Sequence, residues 1–163
     1  MSYPEAKYFG DTGRTSARLH RADEPPTLVN SAGGSTHYLA TGADTNGEFG
    51  LYRWNFGPNR SGPDPHFHRT ISESFYILSG VVSLFDGNGW IEGRPGDFLH
   101  VPQGGVHGFR NESGDEASML LLFTPGAPRE EYFEWLVEIG RGERSLCDEE
   151  RGEFYRRHDT YWV

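Results

Sequence analysis

The residues best suited to chemistry are His66, His68, Glu73 and His107. Side chains two apart on a β-strand project from the same face, so His66 and His68 would present two imidazoles together while Phe67 points the other way. A turn over Arg69-Thr70-Ile71-Ser72 then lets Glu73 begin the next strand near those rings, and His107 must approach from a more distant strand. Three imidazoles and a carboxylate make an N3O donor set. It suits one divalent transition metal (Fe, Ni, Mn, Co or Zn) and is too rich in nitrogen for Ca or Mg. Ligand identity does not choose among the five. A lone His-x-His pair is more often surface decoration, so the reading rests on the four residues together. Glu73 carries a second possible role, because a carboxylate at a metal either coordinates it or swings away as a general base.

These side chains must be held by short strands. From Ser35 onward the sequence alternates with period two over Thr36 to Thr41, Glu48 to Phe56, Ser74 to Ser79, Val81 to Phe85, Asp97 to Val101, Val106 to Asn111 and Ala117 to Thr124. Turn signals at Gly57-Pro58, Ser61-Gly62-Pro63, Gly87-Asn88-Gly89, Arg94-Pro95-Gly96 and Gly104-Gly105 separate them. This punctuation predicts an all-β fold, a small antiparallel β-barrel of jelly-roll type, followed by a C-terminal helical segment. Residues 1–33 read as an N-terminal arm with one short strand at Thr27-Leu28-Val29, 34–125 as the barrel and 126–163 as the helical extension. In the extension, Tyr132, Phe133, Trp135, Leu136 and Ile139 form an apolar helical face among Glu130, Glu131, Glu134 and Glu138. A more highly charged helix is expected from Asp148 to about His158. On the strand ending at Phe56, the rings of Tyr52, Trp54 and Phe56 share one face, which reads either as core packing or as an aromatic pocket wall.

Two spacings resemble the conserved motifs of the cupin family. The first is Gly62-Pro-Asp-Pro-His66-Phe-His68, then Glu73 and Gly80; the second, Gly96, Pro102, Gly104, His107 and Asn111, fits the pattern G-x5-P-x-G-x2-H-x3-N at every fixed position. The resemblance covers about residues 35 to 125 and implies a jelly-roll barrel with the metal near its middle. The first motif departs at one point, since the family's leading glycine would fall on Arg60, whereas this chain has Gly57 and Gly62. Gly80, Gly96 and Gly104 are expected in tight turns, Pro102 at a strand end, and Asn111 tying down a loop. The helix beginning at Arg129, after Phe123-Thr124-Pro125-Gly126, is similar to that of single-domain quercetin dioxygenase-like proteins. The resemblance therefore implies a metal-dependent oxidoreductase of dioxygenase type acting on a small aromatic or enolic substrate. Its alternatives are an oxygen-independent cyclase, isomerase or lyase, or a cupin that binds a small molecule without turning it over.

The remaining features mainly exclude. A net charge of -9 with no basic run argues against nucleic acid as a partner. Without an apolar leader or a stretch of membrane-spanning length, the expectation is a soluble, cytoplasmic protein with no membrane partner. The single cysteine, Cys147, lies in a charged segment and reads as a bystander. His20, His37 and His158 lack ligand spacing, and His100 is a candidate for supporting the site from outside it. A homodimer is expected if the N-terminal strand covers a neighbouring sheet edge.

Overall fold

The computed structural model describes residues 2–163. Residues 2–27 are exposed and hold no strand or helix; Lys7 meets Glu48, and Arg18 bonds Asp44 at 3.1 Å. The strands follow as β1 (Leu28–Val29), β2 (Ser35–Ala40), β3 (Gly50–Phe56), β4 (His66–Phe67), β5 (Ser72–Ser79), β6 (Val82–Phe85), β7 (Trp90–Gly93), β8 (Phe98–Val101), β9 (Gly108–Arg110) and β10 (Ala117–Thr124). Helices α1 (Glu130–Gly140) and α2 (Asp148–Arg157) come next, and β11 (Tyr161–Trp162) ends the chain. The protein is mostly β, with antiparallel sheets and two helices. None of the described helices is long and apolar enough to cross a membrane.

One sheet of six strands runs in the order β1-β2-β3-β10-β5-β8. Strict alternation sets its inner face: Ala117, Met119, Leu121 and Phe123 of β10 are buried while the residues between them are only half-buried. Phe75 and Ile77 of β5 and Tyr52 and Phe56 of β3 complete that face. Glu73 stands among these apolar residues, opposite Phe123 on one side and Val101 on the other. The aromatic run of β3 divides between its two expected roles. Tyr52 and Phe56 are core, and the half-buried Trp54 lines a cavity.

Backbone pairing alone does not trace the expected barrel as one ring. Among the described residues the hydrogen-bonded strands form three sheets, the second β7-β6-β9 and the third β11-β4, and no closed ring. Only isolated bridges, Ser61 with Asn111 and His66 with His107, join the third sheet to the segment carrying β9. Pro63 and Pro65 lie between those bridges and have no N–H to donate, so a continuous ladder cannot form there. The strand expected to carry both His66 and His68 ends at Phe67, and His68 follows it.

The turn residues behave as their chemistry requires. Gly80, Gly96 and Gly104 have positive φ. Asn111 Nδ2 donates to the carbonyls of Gly57 and Asp115, at 2.9 and 2.7 Å, tying its loop down. Asp86 Oδ1 accepts the N–H groups of Asn88 and Gly89, closing the β6–β7 hairpin. Helix α1 packs Phe133 edge-on against Tyr52, with ring centroids 5.2 Å apart, and Tyr132 stacks on Phe154 of α2 at 5.3 Å. Burying aromatic rings of this size stabilises by roughly 1.5–3 kcal/mol each, which is enough to dock a helix whose own surface is largely acidic. Cys147 is exposed at the N-terminus of α2.

Candidate metal centre

The four residues singled out by spacing come together. Each of His66, His68, Glu73 and His107 offers one ligand atom, the four atoms lie within 4.8 Å of one another, and all four residues are buried. Glu73 rises from β5 in the six-stranded sheet, while His66 lies in β4, His68 just after it, and His107 just before β9. His66 and His107 exchange both backbone hydrogen bonds at 2.8 Å, which sets their rings side by side at 4.5 Å between centroids. His68 follows one residue after β4, and its carbonyl accepts the N–H of Gly104 at 2.7 Å.

Each histidine is oriented by a backbone carbonyl. The Nδ1–H groups of His66, His68 and His107 donate to the carbonyls of Asp64 (2.9 Å), Asp159 (2.5 Å) and Gly105 (2.9 Å). That turns the Nε2 atoms inward, the arrangement that metal-binding histidines use to fix tautomer and ring direction. Glu73 Oε2 lies 2.8 Å from His107 Nε2 and 3.1 Å from His68 Nε2. With both ring nitrogens of these histidines on oxygen acceptors, each inner contact needs a proton on Nε2 or a cation in its place. One divalent ion supplies that positive charge at a single point, so the donor set fits a metal.

The electrostatics point the same way. Burial holds the His66 pKa down to about 3, helped by the neighbouring His107, so this ring is neutral and its lone pair is free. Burial alone would raise the Glu73 carboxyl, but hydrogen bonds from His107 and His68 outweigh it and hold it well below the ordinary carboxylate range. At His107 burial pulls downward and loses to the hydrogen bond with Glu73, so that imidazole is raised. Glu73 and His107 thus form a buried carboxylate–imidazole contact in which a cation can take the place of the bridging proton.

A cavity of about 300 Å³ opens beside the cluster. Its wall includes His66, Glu73, Trp54, Phe109, Trp162 and Arg129. An apolar, aromatic enclosure with a few converging polar groups is the usual form of a small-ligand site.

Residues 52–123 match the cupin domain model (Cupin_2). The chain carries a cupin domain. Over 118 residues, 72% of its length, it is 30% identical to the quercetin 2,3-dioxygenase of Bacillus subtilis (strain 168). That stretch is 34% of the relative, so this cupin spans about a third of the length of that curated protein. Among solved structures it superposes on a predicted oxalate decarboxylase from Thermotoga maritima with a TM-score of 0.58 at 19% identity, covering 67% of this chain and 99% of that one. The polyketide cyclase RemF from Streptomyces resistomycificus gives a TM-score of 0.54 at 24% identity, covering 74% and 92%. At those identities the superpositions show the cupin fold.

Sequence reasoning missed the groups that the C-terminal extension brings to the site. β11 pairs with β4, setting the Trp162 ring 5.2 Å from that of His66, while Asp159 orients His68. His158, expected in a tail, is buried, and Arg129 Nη1 donates to its carbonyl at 2.5 Å. All of these lie outside the residues matched by the cupin model, and a two-residue strand carries no periodic signal. His100 is corrected in the other direction. It is exposed and bonds Ser74 at 2.9 Å, on the face of β5 opposite Glu73, so it does not support the cluster.

Proposed function

We propose that this cupin is a metal-dependent oxidoreductase of the dioxygenase type, acting on a small aromatic or enolic molecule. His66, His68, His107 and Glu73 hold one divalent ion, within a jelly-roll barrel formed by the facing sheets. The observation that carries the reading is the convergence of three inward Nε2 atoms and the Glu73 carboxylate beside an aromatic cavity. The 30% identity to a protein named quercetin 2,3-dioxygenase supports the reaction class and suggests a flavonol-like or other enolic substrate.

A metal bound there would polarise a substrate oxygen and lower the pKa of its hydroxyl or enol. The chain's residues do the rest. Trp54, Phe109 and Trp162 grip a planar ring and exclude water from the cavity. Glu73 Oε2 accepts the proton of the substrate hydroxyl, the role open to a carboxylate that swings away from the metal. Burial of Glu73 keeps that proton within the site.

The test combines elemental analysis of untagged protein, purified without chelator or nickel resin, with oxygen uptake on flavonols and other enolic aromatics. Near-stoichiometric iron, nickel, manganese or cobalt, lost in a His66→Ala, His107→Ala variant, is expected together with oxygen consumption. Conversion without oxygen uptake would replace the dioxygenase with a cyclase, isomerase or lyase. Binding without product would leave a binding protein, and full turnover in Glu73→Gln with metal retained would remove Glu73 as the base.

A further inference from the structure

The cavity contains a cation that the proposed reaction does not use. Arg129 is 4% exposed, yet among the described residues no carboxylate pairs with it. Its guanidinium donates from Nη1 to the His158 carbonyl, and its buried Nε has no partner at all. The faces of Tyr132 and Phe123 lie 4.1 and 5.2 Å from its central carbon. Ring faces attract a cation, but they leave its N–H donors unpaired, and a buried charge without a counter-charge is strongly disfavoured. Arginine N–H groups are arranged as a fork that matches a carboxylate.

Arg129 lines the same cavity as His66 and Glu73 and, among the described residues, is the only lysine or arginine that does so. The wall therefore has one permanent cation, one carboxylate committed to the histidine cluster, and aromatic surface between them. We infer that Arg129 is an anion receptor, and that the molecule taken into this cavity is a small aromatic or enolic carboxylate whose carboxylate group pairs with the guanidinium. The inference rests on the proposed small-molecule reading of the cavity and narrows it to an anion. Arg129 thereby orients the ligand, directing the end remote from its carboxylate to the Glu73 cluster.

The test compares two probes of nearly the same shape, 2-hydroxybenzoate and its uncharged carboxamide, 2-hydroxybenzamide. Binding is followed by fluorescence of Trp54 and Trp162, both on the cavity wall. It is measured on the full chain after chelation, on the metal-loaded protein, and on Arg129→Gln and Arg129→Lys variants. In chelated wild-type protein the carboxylate is expected to bind ~10–100-fold more tightly than the amide. That preference should fall below about threefold in Arg129→Gln and be partly restored in Arg129→Lys.

Equal affinities in chelated wild-type protein would overturn the inference, and this arm decides the matter even if both variants fail to fold. A preference that survives Arg129→Gln but disappears on chelation would make the metal the anion receptor, leaving the metal centre intact and Arg129 without this role. A preference lost in Arg129→Gln, in a protein that binds no metal under any condition, would keep the receptor and remove the metalloenzyme reading.

Discussion

The imidazole of His68 is held by a residue 91 positions further along the chain, Asp159, whose backbone carbonyl accepts its Nδ1–H at 2.5 Å. The same residue's carboxylate accepts the N–H groups of Arg69 and Thr70 and the Thr70 hydroxyl. Asp159 reaches both by adopting a left-handed backbone, φ 52°, just after α2. A single residue of the C-terminal extension thus fixes both a candidate ligand and the turn that leads to Glu73. Replacing it tests whether the extension belongs to the site. Asp159→Gly keeps the backbone geometry and loses the carboxylate's bonds, whereas Asp159→Ala loses them and adds left-handed strain of ~1 kcal/mol. Chemical denaturation should place Gly ~1–3 kcal/mol below wild type and Ala lower still. Metal titration should show both variants weakened by ~10–100-fold, because the carbonyl that orients His68 is no longer anchored by the carboxylate's bonds to Arg69 and Thr70.

Metal should also act as a folding ligand. The four donors come from three separate chain regions, so the unfolded chain cannot present them together. At a free metal concentration about 1,000 times the dissociation constant, linkage gives ~4 kcal/mol of stabilisation. For a chain of this size that is a rise in melting temperature of roughly 8–16 °C. Thermal denaturation with and without added metal measures it, and His107→Ala should abolish the rise.

The candidate ligands were legible in the sequence because their chemistry is local. His66 and His68 are set by strand alternation, and His107 by a turn-rich motif whose glycines and proline have fixed conformational duties. Alternation likewise marked β10 from Ala117 to Thr124, since one face of that strand meets the core and the other does not. Arg129, Asp159 and Trp162 were not legible. Each owes its position to the docking of α1, α2 and β11, which depends on contacts such as Tyr132 against Phe154 and Phe133 against Tyr52. No local pattern encodes those contacts. Arg129 in particular reads as one more charge ahead of an acidic helix until its burial is known. The division into sheets was hidden for a related reason, because the interruption depends on Pro63 and Pro65 facing one particular neighbouring segment.

Acid should destabilise the metal-free protein from near neutrality downward. His66 is held to about 3 in the fold by burial, against an ordinary value of 6.5. Between those values the unfolded chain binds a proton that the folded chain refuses, so stability falls as pH drops through that window and levels off below it. One such group contributes a slope of at most ~1.4 kcal/mol per pH unit. His158, also lowered by burial and then by Arg129, adds in the same direction. Glu73 is depressed, so its contribution is intact above the ordinary glutamate range and is lost only below it. His107 is raised, so its contribution is complete below 6.5 and fades as pH climbs through its folded value. Denaturation of chelated protein between pH 4 and 9 should therefore show stability declining on both sides. The acid limb should be weaker in His66→Phe, and a flat profile would contradict the burial of a neutral His66.

Gly62 distinguishes backbone strain from steric exclusion in the segment that departs from the family's first motif. Its φ is 134°, and a Cβ there would lie 2.0 Å from the Phe109 carbonyl oxygen and 2.6 Å from Arg110 Cα. Those are backbone atoms of β9, pinned by the pairing of Leu84 with Phe109, and Phe109 forms part of the cavity wall. They cannot give way without pulling the strand off β6. Gly96 provides the control, because its φ of 95° imposes similar strain while nothing stands within 4 Å of a Cβ. Gly96→Ala should lose ~1–2 kcal/mol from left-handed strain alone. Gly62→Ala should lose that plus an overpacking cost of ~1–3 kcal/mol. Its damage should also spread to the cavity, weakening aromatic ligands, whereas Gly96→Ala should bind them as wild type does. Equal losses in stability for the two variants would mean that the β9 backbone moves freely, and that the close approach of Gly62 does not shape the site.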